Sequence, residues 1–179
     1  MKQTKTICLI LKIWNCVQCA VKTISQKTKQ CVTNARANQR PYGSFDKYQE
    51  IIDRLPGKDR IFTDLRYIKD SEVTDYFSAA DLAVLPYRSA TQSGISSVSY
   101  HFEVPMIVTD VGGLKETIGD RGTGLVAPEG TPDAIYNEIL KYFGNPSIKE
   151  GCIDAIRLEK ERLSWESFAL KLTDFIKHL

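Results

Sequence analysis

Three four-residue runs, Leu82–Leu85 (LAVL), Met106–Thr109 (MIVT) and Gly124–Ala127 (GLVA), are apolar without alternation. A strand with one face in water alternates polar and apolar residues. A run that does not alternate must be covered on both faces, and that is the habit of parallel sheets flanked by crossover helices. Segments with helical spacing lie before, between and after these runs. The pattern predicts an α/β chain with a doubly wound, Rossmann-like parallel sheet.

The helical segments carry their own stop and start signals. Phe45, Tyr48, Ile51, Ile52 and Leu55 sit on one helical face behind Ser44, a candidate N-cap, and Pro56-Gly57 ends the run. Ile61–Thr63 suits a short buried strand. Asp70 or Ser71 starts a helix through Ala80, with Val73, Tyr76 and Phe77 inward. A helix over Ile95–Phe102 follows Ser93-Gly94, and a short one over Leu114–Ile118 follows Gly112-Gly113. Thr131-Pro132 opens a helix whose apolar face is Ile135, Ile139, Leu140 and Phe143. Two more helices, near 146–163 and 165–179, complete the chain. Tyr76, Phe77, Tyr136, Phe143, Trp165 and Phe168 read as core or helix-face packing, and the acids from Glu150 to Glu161 as a solvated face.

Composition narrows the field. A chain of 179 residues with 42% hydrophobic content supports one core. The net charge of +2 conceals an asymmetry: residues 1–45 hold eight Lys or Arg and no acid. The remaining 16 basic residues face all 22 acidic ones, a balance of −6 that excludes a nucleic-acid binder of the usual basic kind. Cys8, Cys16, Cys19, Cys31 and Cys152 are odd in number, so a disulfide framework is not expected; the reading is a reduced, cytoplasmic protein. Cys16 and Cys19 form a single C-x-x-C, half of a zinc site or a redox pair. No second pair follows, and the histidines are His101 and His178 alone, so neither a metal nor another cofactor is expected. Cys152 reads as a small inert hydrophobe.

Residues 1–43 have a different texture, with Lys and Cys scattered through short apolar stretches. Ile7–Val21 is too short to span a bilayer and is broken by Lys12. Signal peptide, transit peptide and surface helix are each compatible with parts of it, and an irregular or disordered lead-in fits it better. Its basic charge could meet a membrane surface. Poor or irregular packing is expected over residues 1–42, including at Ile7, Leu9, Ile10, Leu11 and Trp14.

In an open parallel sheet, ligands bind beyond the carboxyl ends of the strands. The turns to inspect are those after Phe62, Leu85 and Thr109, which contain Arg66-Tyr67, Arg88 to Gly94, and Asp110 to Gly113. They are rich in Gly and Ser and lead into helices, where unpaired N–H groups favour an anion. Phosphate or nucleotide chemistry follows.

The runs ADLAVLPYR, TQSG, VPMIVTDVGGLKE and GTGLVAPEGTPDAI, in this order, with Ser164-Trp165-Glu166 opening the last helix, carry a resemblance. Residues 44–179 are similar to the C-terminal donor-binding domain of the family 4 (group 1) glycosyltransferases, retaining enzymes of the GT-B class, truncated on its N-terminal side. The resemblance implies an incomplete Rossmann-like domain and a nucleotide-diphosphate sugar as ligand. By position, Arg66, Tyr67 and Ile68 would face the base, and the N–H groups of Ser93, Gly94 and Ile95 would receive the diphosphate. Arg88, Thr91 and Gln92 would line the same turn, while Gly112 and Gly113 would lie close to the sugar.

Two departures accompany the match. Many members carry two glutamates eight positions apart; here Thr91 and Ser99 occupy those places. Glu103 reads as a surface residue. The Arg and Lys that neutralise the leaving diphosphate in the family come from its first strand and helix, and the lead-in stands there instead. Nothing in the spacing of Arg36, Arg40 or Lys47 makes them substitutes. The acceptor-binding domain, with its catalytic groups, is expected on another domain or chain. His101 reads as a surface or packing residue. The competing class is a truncated or degenerate non-catalytic module that binds a nucleotide sugar or a partner. A two-component receiver is disfavoured, because its first strand needs acids that residues 1–45 lack.

Overall fold

A computed structural model describes residues 9–12, 31–34, 46–54, 58–64, 66, 68–91 and 93–178. Six parallel strands form one sheet in the order β3-β2-β1-β4-β5-β6, with β1 Leu9–Lys12, β2 Cys31–Asn34, β3 Ile61–Asp64, β4 Leu82–Leu85, β5 Met106–Thr109 and β6 Gly124–Ala127. The helices are α1 Asp46–Asp53, α2 Asp70–Ala79, α3 Gly94–His101, α4 Pro132–Gly144, α5 Pro146–Arg162 and α6 Trp165–Lys177.

The strands expected from the unbroken apolar runs are present, and their burial explains the runs. Every residue of β4 and β5 is buried, as a strand covered on both faces requires. The core beneath them includes Leu85, Tyr100, Val104, Leu114, Ile118 and Ile156. Phe77 and Phe102 stack at 5.6 Å on its edge.

The lead-in departs from expectation. Leu9–Lys12 and Cys31–Asn34 are strands of the sheet, and β1 pairs with both β2 and β4, through Ile10↔Val32 and Ile10↔Ala83. Backbone pairing on both sides satisfies the donors and acceptors of LILK despite its lysine and its unusual flanks. The expected irregularity therefore does not hold for these eight residues. Ile7, Trp14, the C-x-x-C, Ser44 and Pro56-Gly57 lie outside the described residues.

The helix signals worked through local chemistry. Thr131 caps α4 by accepting from the Ala134 N–H at 3.3 Å, with Pro132 at the first position. Asn145 caps α5 through the Ser147 N–H. Ile135, Ile139 and Tyr142 are the buried face of α4; Leu140 and Phe143 are half-buried, because Tyr142 turns inward and donates its hydroxyl to the Asp81 carbonyl at 3.0 Å. Lys115–Gly119 is a π-helical turn rather than an α-helix, closed by the Asp120 N–H on the Lys115 carbonyl.

Two readings of the last helices are corrected. Glu159 on α5 is 8% exposed rather than solvated, because Arg162 forks its carboxylate at 2.7 to 3.0 Å. Trp165 and Phe168 on α6 are 82% and 56% exposed rather than packed, since no described element lies over that face. Cys152 is buried, and burial pushes its thiol pKa up. Glu103 lies near the surface and ties α5 to the turn after α3 through Arg157 at 2.9 Å and Lys160 at 3.2 Å. Those hydrogen bonds lower its carboxyl pKa.

Gly124 begins β6 opposite Met106, and a Cβ there would overlap the Met106 carbonyl oxygen and press on Ile118. Gly124→Ala should lower stability by about 3 kcal/mol, since backbone and a buried residue must both yield. Urea unfolding of the variant, with an unchanged denaturant slope and a lower midpoint, checks this.

Candidate functional site

Strand order locates the crevice. The chain runs outward from β1 through β2 to β3, then returns to β4 and runs outward the other way through β5 to β6. The reversal falls between β1 and β4, and ligands of such sheets bind outside the carboxyl ends of the strands there. Pro86–Ser93 leaves the end of β4, and Asp110–Leu114 leaves the adjacent end of β5.

These two loops are tied together at two points. Thr109 donates its buried hydroxyl to the Tyr87 carbonyl at 2.6 Å. The Gly113 N–H donates to the Thr91 carbonyl at 3.3 Å. Gly112 has φ +55°, and a Cβ on it would fall onto the Ala90 carbonyl oxygen. A left-handed backbone and so close an approach both require glycine. The expectation of a close backbone approach at Gly112 and Gly113 thus meets a structural cause first: the loops seat on each other.

The start of α3 faces open space. Ser93 is its N-cap, yet its side chain makes no capping hydrogen bond; the hydroxyl is hydrogen-bonded to the Tyr87 hydroxyl at 2.9 Å. Among the described residues nothing accepts from the N–H groups of Ser93, Gly94 or Ile95, while Ser96 donates to the Ser93 carbonyl. A Cβ on Gly94 would meet nothing within 4 Å. Three donors and the positive end of the helix are therefore presented outward.

The remaining positions divide. Arg88 is exposed on the same loop with no ion partner among the described residues, and Thr91 is exposed beside it. Lys115 sits 3.9 Å from Asp110 at the end of β5, a cation that turn composition did not single out. Ser99 is fully buried and its hydroxyl has no partner among the described residues, so it lies in the core. His101 is exposed and meets the Phe102 ring edge-on. Tyr67, Gln92, Arg36 and Arg40 lie outside the described residues, as does the side chain of Lys47. No cluster of metal-binding side chains occurs among the described residues.

Arg66 and Ile68 follow β3, three strands from β4, about 14 Å away at ordinary strand spacing. The Arg66 guanidinium grips Glu72 with two hydrogen bonds of 2.7 Å, and the Lys69 N–H adds a third at 3.0 Å. Arg66 first and the Lys69 amide second lower the Glu72 carboxyl from an ordinary 4.5 to about 2. The loop is thus anchored to the first turn of α2.

Since the folded-state value lies below the ordinary one, this contact contributes above pH 4.5 and is lost as pH falls toward 2. A carboxyl NMR titration should place the Glu72 midpoint near 2, and Arg66→Met should return it most of the way to 4.5.

The chain matches the family model of glycosyl transferases group 1 over residues 6–145, a span that takes in β1 and β2. An uncharacterized glycosyltransferase of Methanocaldococcus jannaschii is 26% identical over 95 residues, 53% of this chain and 27% of that protein. The C-terminal domain of LpcC, a group 1 glycosyl transferase from Francisella tularensis, superposes with a TM-score of 0.74 at 12% identity, covering 88% of this chain and 87% of that one. HepE of Anabaena, solved in complex with UDP, gives a TM-score of 0.71 at 12% identity over 98% of this chain and 50% of its own. The chain spans about a quarter of the archaeal protein and half of HepE.

Proposed function

The chain belongs to the glycosyl transferases group 1 family, and from that premise we propose that it is the donor-binding part of a glycosyltransferase. It holds a nucleotide-diphosphate sugar while a separate acceptor-binding domain, in the same protein or on another chain, presents the group that receives the sugar. The observation that carries this reading is the start of α3, where the N–H groups of Ser93, Gly94 and Ile95 are unclaimed and the approach to Gly94 is open. Backbone donors at a helix start suit a diphosphate, and they stabilise the charge that grows on it as the sugar leaves.

Arg88 extends the same anion site with a guanidinium fork. The loop after β3 lies too far away to touch the same phosphate. Its distance suits a base at the other end of an extended nucleotide, which favours a nucleotide-diphosphate sugar over a simple sugar phosphate. Gly112 and Gly113 border the sugar end of the cleft, and Gln92 joins the diphosphate turn. Arg66 contributes loop shape through Glu72, leaving base contacts to the backbone near Tyr67 and Ile68. Catalytic groups belong to the acceptor side, so this chain alone is expected to bind donor and not transfer sugar.

The setting follows from the same reading. No helix among the described residues is long and apolar enough to cross a membrane. A cytoplasmic enzyme whose basic lead-in touches a membrane surface accords with the charge of residues 1–45.

Calorimetric titration of the chain with UDP, GDP and ADP tests the proposal. One nucleotide should bind saturably, and Gly94→Trp should abolish that binding while leaving the unfolding midpoint unchanged, because the added side chain projects into open space. Absence of binding to a folded chain would point instead to a degenerate, non-catalytic module.

A further inference from the structure

A serine at a helix N-cap ordinarily turns its hydroxyl back to accept from the second or third N–H of its own helix. Ser93 has the extended backbone of an N-cap, φ −130° and ψ 115°, and does not do this. Its hydroxyl is held by the Tyr87 hydroxyl at 2.9 Å. Tyr87 is itself fixed at its other end: its carbonyl takes the Thr109 hydroxyl at 2.6 Å, and its half-buried ring rests against the core. A rigid aromatic strut therefore runs from the end of β5 to the N-cap of α3.

We propose that Tyr87 is a positioning residue that keeps the Ser93 hydroxyl off α3, leaving the first-turn N–H groups open to the diphosphate. Three observations meet here. The cap has the extended backbone of an N-cap and is unused; the N–H groups of Gly94 and Ile95 have no acceptor among the described residues; and a Cβ on Gly94 would meet nothing within 4 Å. Without the strut, Ser93 would cap its own helix, and an incoming anion would compete with an acceptor already in place. Tyr87 acts through Ser93 and need not touch the ligand. This deepens the donor-binding reading and rests on it for the identity of the anion.

Two measurements on the full chain separate the inference from the function. Without ligand, amide hydrogen exchange in Tyr87→Phe should slow at Ile95 or Ser96 by about fivefold, the worth of an ordinary cap, as the freed hydroxyl swings onto the helix. With ligand, titration with pyrophosphate and with UDP, GDP and ADP should show binding weakened by a similar factor. Adding Ser93→Ala to Tyr87→Phe keeps the N–H groups but deletes the competing hydroxyl. That double variant should regain fast exchange and recover binding toward the parent chain, a rescue that a merely structural tyrosine would not show.

Unchanged exchange and binding in Tyr87→Phe overturn the proposal, as does weakened binding that Ser93→Ala fails to rescue. Should the parent chain bind none of the four anions, the donor reading fails. Slowed exchange in Tyr87→Phe, reversed in the double variant, would still establish the latch.

Discussion

Everything at the candidate site hangs on the seating of one loop against another at the carboxyl end of the sheet. Gly112 passes so close to the Ala90 carbonyl that no side chain fits between them. On either side of that contact the Thr109 hydroxyl and the Gly113 N–H tie the same two loops together. Because the loop after β4 is held at Tyr87 and again at Thr91, its exit into α3 is determined. A rigid loop is what allows bare N–H groups to stay aimed at a ligand without closing on themselves.

The sheet supplies the platform. Reversal of the strand order between β1 and β4 splays the chain away on both sides, and ligands of such sheets bind in the gap left beyond the strand ends. Placing β1 next to β4 makes a strand of the basic lead-in central to that platform. Group 1 membership beginning at residue 6 agrees with this placement.

The sequence was most legible where physics left few alternatives. LAVL and MIVT could only be strands covered on both faces, and both are buried throughout. Thr131-Pro132 could hardly fail to start a helix. Legibility failed where a residue's environment is made by distant partners. LILK and CVTN are short, and their neighbours dilute them, so their strand character emerges only from pairing with β4 and β3. Glu159 reads as solvated, yet Arg121, far off in the chain, lies 3.9 Å from a carboxylate that Arg162 already holds. Trp165 and Phe168 read as core on hydrophobicity alone, though nothing described in this chain covers them.

The candidate site shows the same division. Turn composition and strand order pointed to Arg88 to Gly94 and Asp110 to Gly113 as the loops to inspect, and the structure brings these two loops together at the carboxyl ends of β4 and β5. Burial of Ser99, commitment of Arg66 to Glu72, and capture of the Ser93 hydroxyl by Tyr87 were decided by the tertiary structure alone. Local sequence sets which conformations a segment can adopt through sterics and capping. Which side chain spends its hydrogen bonds on which partner depends on the path of the backbone between them, and the six-residue spacing of Arg66 from Glu72 or of Tyr87 from Ser93 does not by itself encode that path.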